Sequence, residues 1–186
     1  MPSLRPLTIA FMGNFSAEKG SKNFPKLVEL CSEAKLPIKW WILGGIGDEE
    51  SYQRASSFAE IQTTGFYSTT ELPELIKSLK LDLGLIMSVF PESYSKLSRE
   101  CWQAGLPLIY NKIGVLDSIS FSDFGVKDVQ RHLDTVVKKI TKIAEDPNLL
   151  DKEKQKVEKA IQENGLLSAN DKHLRYLQLY LRDHSE

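Results

Sequence analysis

The chain of 186 residues has room for one well-packed domain, and its 41% hydrophobic and 26% charged residues are typical of globular proteins. With 24 basic and 25 acidic residues the net charge is −1, which gives no electrostatic reason to expect nucleic acid or an anionic membrane as the main partner. There is no apolar run long enough to span a bilayer, no signal peptide and no CxxC pair, so we expect a soluble, cytoplasmic protein without a transmembrane segment.

The first two thirds of the sequence alternates short apolar runs with amphipathic segments. Strands are predicted at residues 7–13, 38–44, 61–65, 81–87 and 106–110, with a short sixth strand at 118–121. Helices are predicted at residues 23–34, 52–59, 71–79 and 93–104. This alternation predicts an α/β, Rossmann-like parallel sheet of about six strands with helices on both faces. Such sheets bind ligands at the carboxyl ends of their strands.

The last third of the sequence predicts a C-terminal helical extension. Apolar residues recur at helical spacing from residue 128 until Pro147, a charged helix follows at 151–164, and Gly165 stands where a helix cap is expected. A last amphipathic helix is predicted at 168–182. The three histidines are too scattered for a metal site or a catalytic triad; they are His132, His173 and His184.

A glycine-bounded segment, GNFSAEKG at residues 13–20, directly follows the first predicted strand. Exposed backbone amides in such a turn, together with a helix dipole, suit a phosphate, and Lys19 would add a positive charge. The segment is neither a Walker A loop nor a GxGxxG motif. From the residues alone, an ordinary strand–helix turn remains the alternative.

A second segment, PESYSKLSRE at residues 91–100, contains two glutamates separated by seven residues. If a helix begins near Ser93, Glu92 lies at its amino end and Glu100 about 12 Å along its axis. That separation suits two contacts on one elongated ligand, with one carboxylate on sugar hydroxyls and the other on ribose hydroxyls. The alternative is that neither glutamate contacts a ligand. Glu92 is then favoured at the helix start by the helix dipole, and Glu100 is a solvated surface residue.

These segments, in order, resemble the donor-binding domain of family 4 glycosyltransferases, which are retaining enzymes of GT-B fold. The resemblance covers about residues 7–116 and includes WWILGG, TGFYSTTELPELI and LDLGLIMSVF. Residues 91–95 look like the PE-S-F-G segment of that family. Glu100 with AGLP at 104–107 looks like its E-A-x-A-x-G-x-P segment. The chain then corresponds to the nucleotide-sugar-binding domain over residues 1–186, without the acceptor-binding N-terminal domain.

The resemblance implies a role for each matching position. Glu92 contacts the sugar and Lys19 the diphosphate, and these two are the implied catalytic residues. Glu100 binds the ribose, and the turn at 65–67 lies near the base. The implied donor-binding residues are Gly13, Asn14, Lys19, Gly65, Phe66, Tyr67, Glu92, Ser95, Lys96, Leu97 and Glu100.

As a whole, the resemblance implies retaining sugar transfer from a nucleoside-diphosphate sugar in polysaccharide or glycolipid synthesis, without a metal or other cofactor. It implies the N-terminal domain as partner, with peripheral membrane contact through that domain, no nucleic acid, and no activity of this chain by itself. Two departures stand out, because Asn14 replaces the usual arginine and Ser95 the usual glycine. A non-catalytic nucleotide-binding module of the same fold is therefore the first alternative. A flavodoxin-like signalling or interaction domain, in which the glutamates have no role, is the second.

Overall fold

A computed structural model describes residues 4–119 and 121–164. Its single sheet consists of β1 (Leu7–Met12), β2 (Ile38–Leu43), β3 (Ile61–Thr63), β4 (Leu83–Ile86), β5 (Leu108–Asn111) and β6 (Gly125–Val126). All neighbouring strands are parallel, in the order β3-β2-β1-β4-β5-β6. The order reverses between β1 and β4, and in open α/β sheets such a reversal is where ligands bind. The predicted Rossmann-like α/β fold is confirmed.

Helices cover both faces of the sheet. They are α1 (Phe24–Glu33), α2 (Glu49–Ser56), α3 (Leu72–Ser78), α4 (Lys96–Gln103), α5 (Leu133–Glu145) and α6 (Asn148–Asn164). Buried residues of α1, α2 and α5 belong to one apolar core, and those of α3 and α4 to a second core on the opposite face. Helix α6 contributes to both, with Leu150 in the first core and Val157 in the second. Along β1, Ile9 and Phe11 point into the first core while Ala10 and Met12 point into the second, as the alternation of side chains in a strand requires.

The two adjacent tryptophans of β2 point to opposite faces of the sheet. Trp40 is buried in the first core, where its ring meets that of Phe24 edge to face at a centroid distance of 5.5 Å. Trp41 is partly buried and packs against the second core.

The sixth predicted strand is wrong. Residues 114–118 form a 3-10 turn, which is supported by a 2.7 Å hydrogen bond from the Ser118 hydroxyl to the Val115 carbonyl. The true sixth strand is the two-residue β6, in which Gly125 pairs with Tyr110. Serine side chains that bond to nearby carbonyls favour turns over strands, which explains the error.

The helical boundaries also differ from the predicted ones. The helix expected from residue 93 begins at Lys96, and the helical pattern starting at 128 becomes a helix only at Leu133, after Asp128 adopts a positive φ of 51°. His132 is the residue before α5. Gly165, the predicted helix at 168–182, His173 and His184 lie outside the described residues.

Candidate functional site

The glycine-bounded loop after β1 is pressed against the loop after β4. Gly13 and Gly20 have φ values of 93° and 91°, which glycine adopts without strain. A Cβ on Gly20 would lie 2.3 Å from the Met87 carbonyl oxygen, so only glycine permits this approach. The Val89 amide donates to the Glu18 carbonyl at 2.9 Å and ties the two loops together. The neighbouring Lys19 is thereby directed toward the end of β4.

Lys19 and Glu92 form an ion pair between these loops. The Ser88 hydroxyl donates to the same carboxylate oxygen, Oε1, at 3.1 Å. The lysine side chain is 40% exposed and that of Glu92 27%, so both remain accessible to a ligand. Burial alone raises the pKa of Glu92, but the hydrogen bond and charge of Lys19, followed by Ser88, outweigh burial and hold this pKa below its ordinary value. At neutral pH Glu92 is therefore an ionised hydrogen-bond acceptor.

The backbone of Glu92 is fixed by the loop after β5. Its carbonyl accepts a hydrogen bond from the Val115 amide at 3.0 Å. A Cβ on Gly114 would lie 2.8 Å from both the backbone nitrogen and the carbonyl oxygen of Glu92. The site residues implied by the sequence include neither Ser88 nor Gly114, because the contribution of both depends on a close approach between loops that are distant in sequence.

The N-terminal end of α4 leaves backbone amides without a partner inside the helix, as every α-helix does. Within the part of the chain that the structure describes, the amides of Ser95, Lys96 and Leu97 donate to no backbone carbonyl. Ser95 immediately precedes the helix in the left-handed region, with φ 50° and ψ 64°, a conformation that costs a non-glycine residue about 1–2 kcal/mol. Because α4 begins only at Lys96, Glu92 lies in the loop before the helix and not in its first turn.

Glu100 lies further along α4 beside the turn that follows β3. Its carboxylate is 3.4 Å from the ammonium group of Lys96 and is 18% exposed. Burial first, and then the neighbouring Cys101 and Glu100, raise the pKa of Tyr67 to about 12. Tyr67, the last residue of the predicted base-binding turn, therefore lies close enough to Glu100 for the carboxylate charge to act on it.

A third group of predicted residues surrounds the glycines after β2. Phe66 has its ring over Gly45, since a Cβ there would lie 2.4 Å from the ring, and the ring is otherwise 83% exposed. The Asn14 side chain is close by and accepts a hydrogen bond from the Gly45 amide at 3.4 Å. Leu97 of α4 packs against Gly13, the residue that follows β1, since a Cβ on this glycine would lie 3.1 Å from a methyl group of Leu97.

The predicted site residues therefore lie at the carboxyl ends of the strands, in three groups. Lys19 and Glu92 are in direct contact across the point where the strand order reverses. No group of three metal-ligating side chains occurs within residues 4–119 and 121–164. In the same ranges, no helix has the length and apolar character needed to cross a bilayer.

Comparison with solved structures identifies the fold. The C-terminal domain of a group 1 family glycosyl transferase (LpcC) from Francisella tularensis superposes with a TM-score of 0.69 at 16% identity, over 85% of each chain. The Anabaena protein HepE in complex with UDP gives a TM-score of 0.73 at 16% identity, over 94% of this chain and 49% of HepE. A glycosyltransferase from Rickettsia africae gives 0.66 at 18% identity, over 94% of this chain and 47% of that chain.

The chain thus has the fold of the C-terminal domain of group 1 glycosyltransferases. It spans most of the isolated Francisella domain, but about half of the Anabaena and Rickettsia chains. No protein-family model matches the sequence, and no curated protein matches it at a significant level.

Proposed function

We propose that this chain is the donor-binding domain of a retaining, family 4 glycosyltransferase and that it binds a nucleoside-diphosphate sugar. The observation that carries the proposal is the contact of Lys19 with Glu92 beside the free amides of α4, at the reversal of strand order. In open α/β sheets this is the location where ligands bind. HepE, which has the same fold, was solved with UDP and with UDP-glucose.

Each part of the donor has a complementary group in the proposed site. The free amides of residues 95–97 and the ammonium group of Lys19 bind the diphosphate. Glu92 accepts hydrogen bonds from sugar hydroxyls, and Glu100 from those of the ribose. Phe66 offers the base an exposed aromatic face, and the adjacent Gly65 and Tyr67 shape its turn.

Sugar transfer places additional negative charge on the departing diphosphate. Fixed positive groups that meet this charge stabilise the transition state more than the ground state. Lys19 is such a group, and its ion pair with the ionised Glu92 fixes its position before the donor arrives. In our proposal these groups suffice without a metal.

The proposal extends to the complete protein. An N-terminal domain binds the acceptor, transfer occurs in the cleft between the domains, and the product belongs to polysaccharide or glycolipid synthesis. Any membrane contact is peripheral and made by that domain. A cytoplasmic location fits the two cysteines, Cys31 and Cys101, which are both free and buried.

Calorimetric titration with UDP, GDP and ADP tests donor binding. We expect one nucleotide to bind and the substitution Glu100→Ala to weaken its binding by about 1–3 kcal/mol, because the ribose loses a charged acceptor. Glu158→Ala, which removes an exposed glutamate of α6, is the matched control and is expected to bind as the wild type does. If the folded wild-type chain binds none of the three nucleotides, the proposal is wrong.

A second candidate function is a nucleotide-binding module that does not transfer sugar. The observation that favours it is Asn14, which is neutral and bonded to the Gly45 amide where the resemblance calls for an arginine. The leaving diphosphate then meets one charge instead of two. Assay of sugar transfer by the complete protein distinguishes the two functions, since activity that appears only with Asn14→Arg indicates a natural binder.

A further inference from the structure

Arg99, on α4, is a buried cation without a carboxylate partner in the described ranges. The residue is 5% exposed, and it forms no ion pair there. Instead, its Nε donates to the Tyr94 carbonyl at 3.0 Å, and its guanidinium carbon lies 4.5 Å from the centre of the Tyr94 ring. A buried charge is unfavourable unless its contacts compensate, so this pairing with Tyr94 calls for an explanation.

The explanation lies in Ser95, the residue that follows Tyr94. Four non-glycine residues of the described chain have a positive φ, and Ser95 is the buried one. Lys35 and Lys80 follow helices, where left-handed residues are common, whereas Ser95 directly precedes a helix. The Tyr94 carbonyl belongs to the peptide group that enters Ser95, so the hydrogen bond from Arg99 fixes the orientation of that peptide.

Ser98 holds the other side of the same residue. Its hydroxyl donates to the Ser95 carbonyl at 2.8 Å, and the two hydroxyl oxygens are 2.7 Å apart. Both Ser95 and Ser98 are buried. The left-handed serine is thus held through the peptide before it and the carbonyl after it.

We propose that Arg99 is a positioning residue for the donor, which acts by holding Ser95 in the left-handed conformation. This orients the amides of residues 95–97 toward the diphosphate, and it allows a serine to occupy a position for which glycine is conformationally suited. The proposal rests on the proposed donor-binding function, because the value of the orientation lies in the ligand.

The test combines two substitutions in a cycle. Arg99→Met keeps an apolar chain in the buried space but removes the donor and the charge, and Ser95→Gly removes the need for a clamp. Each variant and the double variant are titrated with UDP, GDP and ADP, and each is also unfolded in urea. Arg131→Met, which removes an arginine that is 83% exposed, is the matched control.

With Ser95 unchanged, we expect Arg99→Met to weaken nucleotide binding about tenfold, because the loss of a hydrogen bond from a charged donor has about this effect. In the Ser95→Gly background the loss is expected to be below about threefold, since glycine adopts the left-handed region unaided. Tyr94→Leu, which removes the stacked ring, is expected to weaken binding in the same direction. Arg131→Met is expected to leave binding unchanged.

The outcomes separate this proposal from the proposed function. If the wild type binds a nucleotide and the loss caused by Arg99→Met is absent or equal in both backgrounds, the clamp is wrong and donor binding stands. If no nucleotide binds the wild type, donor binding is wrong, and with it the positioning of a donor. The urea midpoints then decide whether the clamp itself exists. If the midpoint shifts of Arg99→Met and Ser95→Gly add up to the shift of the double variant, the two residues are not coupled and there is no clamp.

Discussion

Lys19 and Glu92 are 73 residues apart in the sequence and nevertheless form one ion pair. The sequence predicts both as site residues, because a glycine-bounded turn and the start of a helix are local patterns. Their contact is not predictable from such patterns, since it depends on Gly20 packing against Met87 and on Gly114 packing against the backbone of Glu92. The groups that these glycines pack against are distant in sequence, so a local pattern does not reveal them.

We predict that Lys19→Met raises the pKa of Glu92. The wild-type pKa lies below the ordinary 4.5, so ionised Glu92 stabilises the fold above that pH, and the contribution is lost as pH falls through the lowered value. Because the pair is partly exposed, the loss of unfolding free energy near neutral pH is expected to be at most about 1 kcal/mol and to shrink in acid. Carbon-13 NMR titration of the Glu92 carboxylate measures the shift.

Lys26→Met is the control for this experiment. Lys26 is exposed and pairs at 2.8 Å with Glu29 on α1, so its removal is expected to leave the pKa of Glu92 unchanged. A Glu92 pKa that does not respond to Lys19→Met would show that the ion pair is not formed in solution.

Phe66 offers a second test at the residue scale. Stacking of a base on an aromatic side chain contributes about 1–3 kcal/mol, so Phe66→Ala is expected to weaken nucleotide binding about tenfold or more. Because the ring is 83% exposed, the urea midpoint is expected to change little. Phe90→Ala, which removes a phenylalanine that is 63% exposed and lies outside the turn at 65–67, is the control. Equal nucleotide affinity of the two variants would exclude Phe66 from the base site.

The secondary-structure elements differ in how well their sequences identify them. β1, β2, β4 and β5 contain buried apolar runs, and the sequence predicted all four. β6 has two residues, one of them glycine, and offers no pattern to recognise. The start of α4 was misplaced because serine commonly caps helices in extended conformation, whereas Ser95 is left-handed. That conformation depends on Arg99, whose role cannot be read from local sequence.

Helix α2 supports the site loop through Asp48, the N-cap residue that precedes it. The Asp48 carboxylate caps α2 by accepting from the Ser51 amide at 3.2 Å, and it also binds the Ser21 hydroxyl and the ammonium group of Lys22 at 3.1 Å. Burial alone raises the pKa of Asp48, but these hydrogen bonds from Ser21, Ser51 and Lys22 outweigh it and lower the pKa to about 2. The segment that follows Gly20 is thereby attached to α2.

We predict that Asp48→Asn lowers the free energy of unfolding by about 1–2 kcal/mol near neutral pH, because the amide keeps one acceptor but loses the charge. The folded pKa of Asp48 lies below its ordinary 3.8, so its stabilisation is present above 3.8 and disappears as pH falls through about 2. Urea unfolding of both proteins at several pH values measures the difference. Asp151→Asn, which changes an exposed aspartate in the first turn of α6, is the control. If the difference in unfolding free energy between the wild type and Asp48→Asn is the same at all pH values, the stabilisation does not come from the ionised Asp48.

At the scale of the whole molecule, the alternation of strands and helices predicts the fold and, with it, the end of the sheet at which a ligand is expected. The resemblance adds the kind of ligand. Neither identifies the base or the sugar, because that choice depends on backbone geometry around Phe66 and Ser95. The chain covers about half of HepE and of the Rickettsia glycosyltransferase. In our proposal its site supplies the donor contacts alone, and another domain holds the acceptor.

We accordingly predict that this chain binds a nucleoside diphosphate but does not transfer or hydrolyse the sugar of UDP-glucose. With Glu92 27% and Lys19 40% exposed, water reaches the reacting groups, and the electrostatic stabilisation of the leaving diphosphate is weaker than in a closed cleft. UDP release from UDP-glucose is measured for the chain and for Glu92→Gln, whose carboxamide keeps the size of the side chain but removes its charge. We expect equal background rates for the two. A faster release by the wild type, abolished in Glu92→Gln, would show that the chemistry resides in this domain and that the cleft is not required.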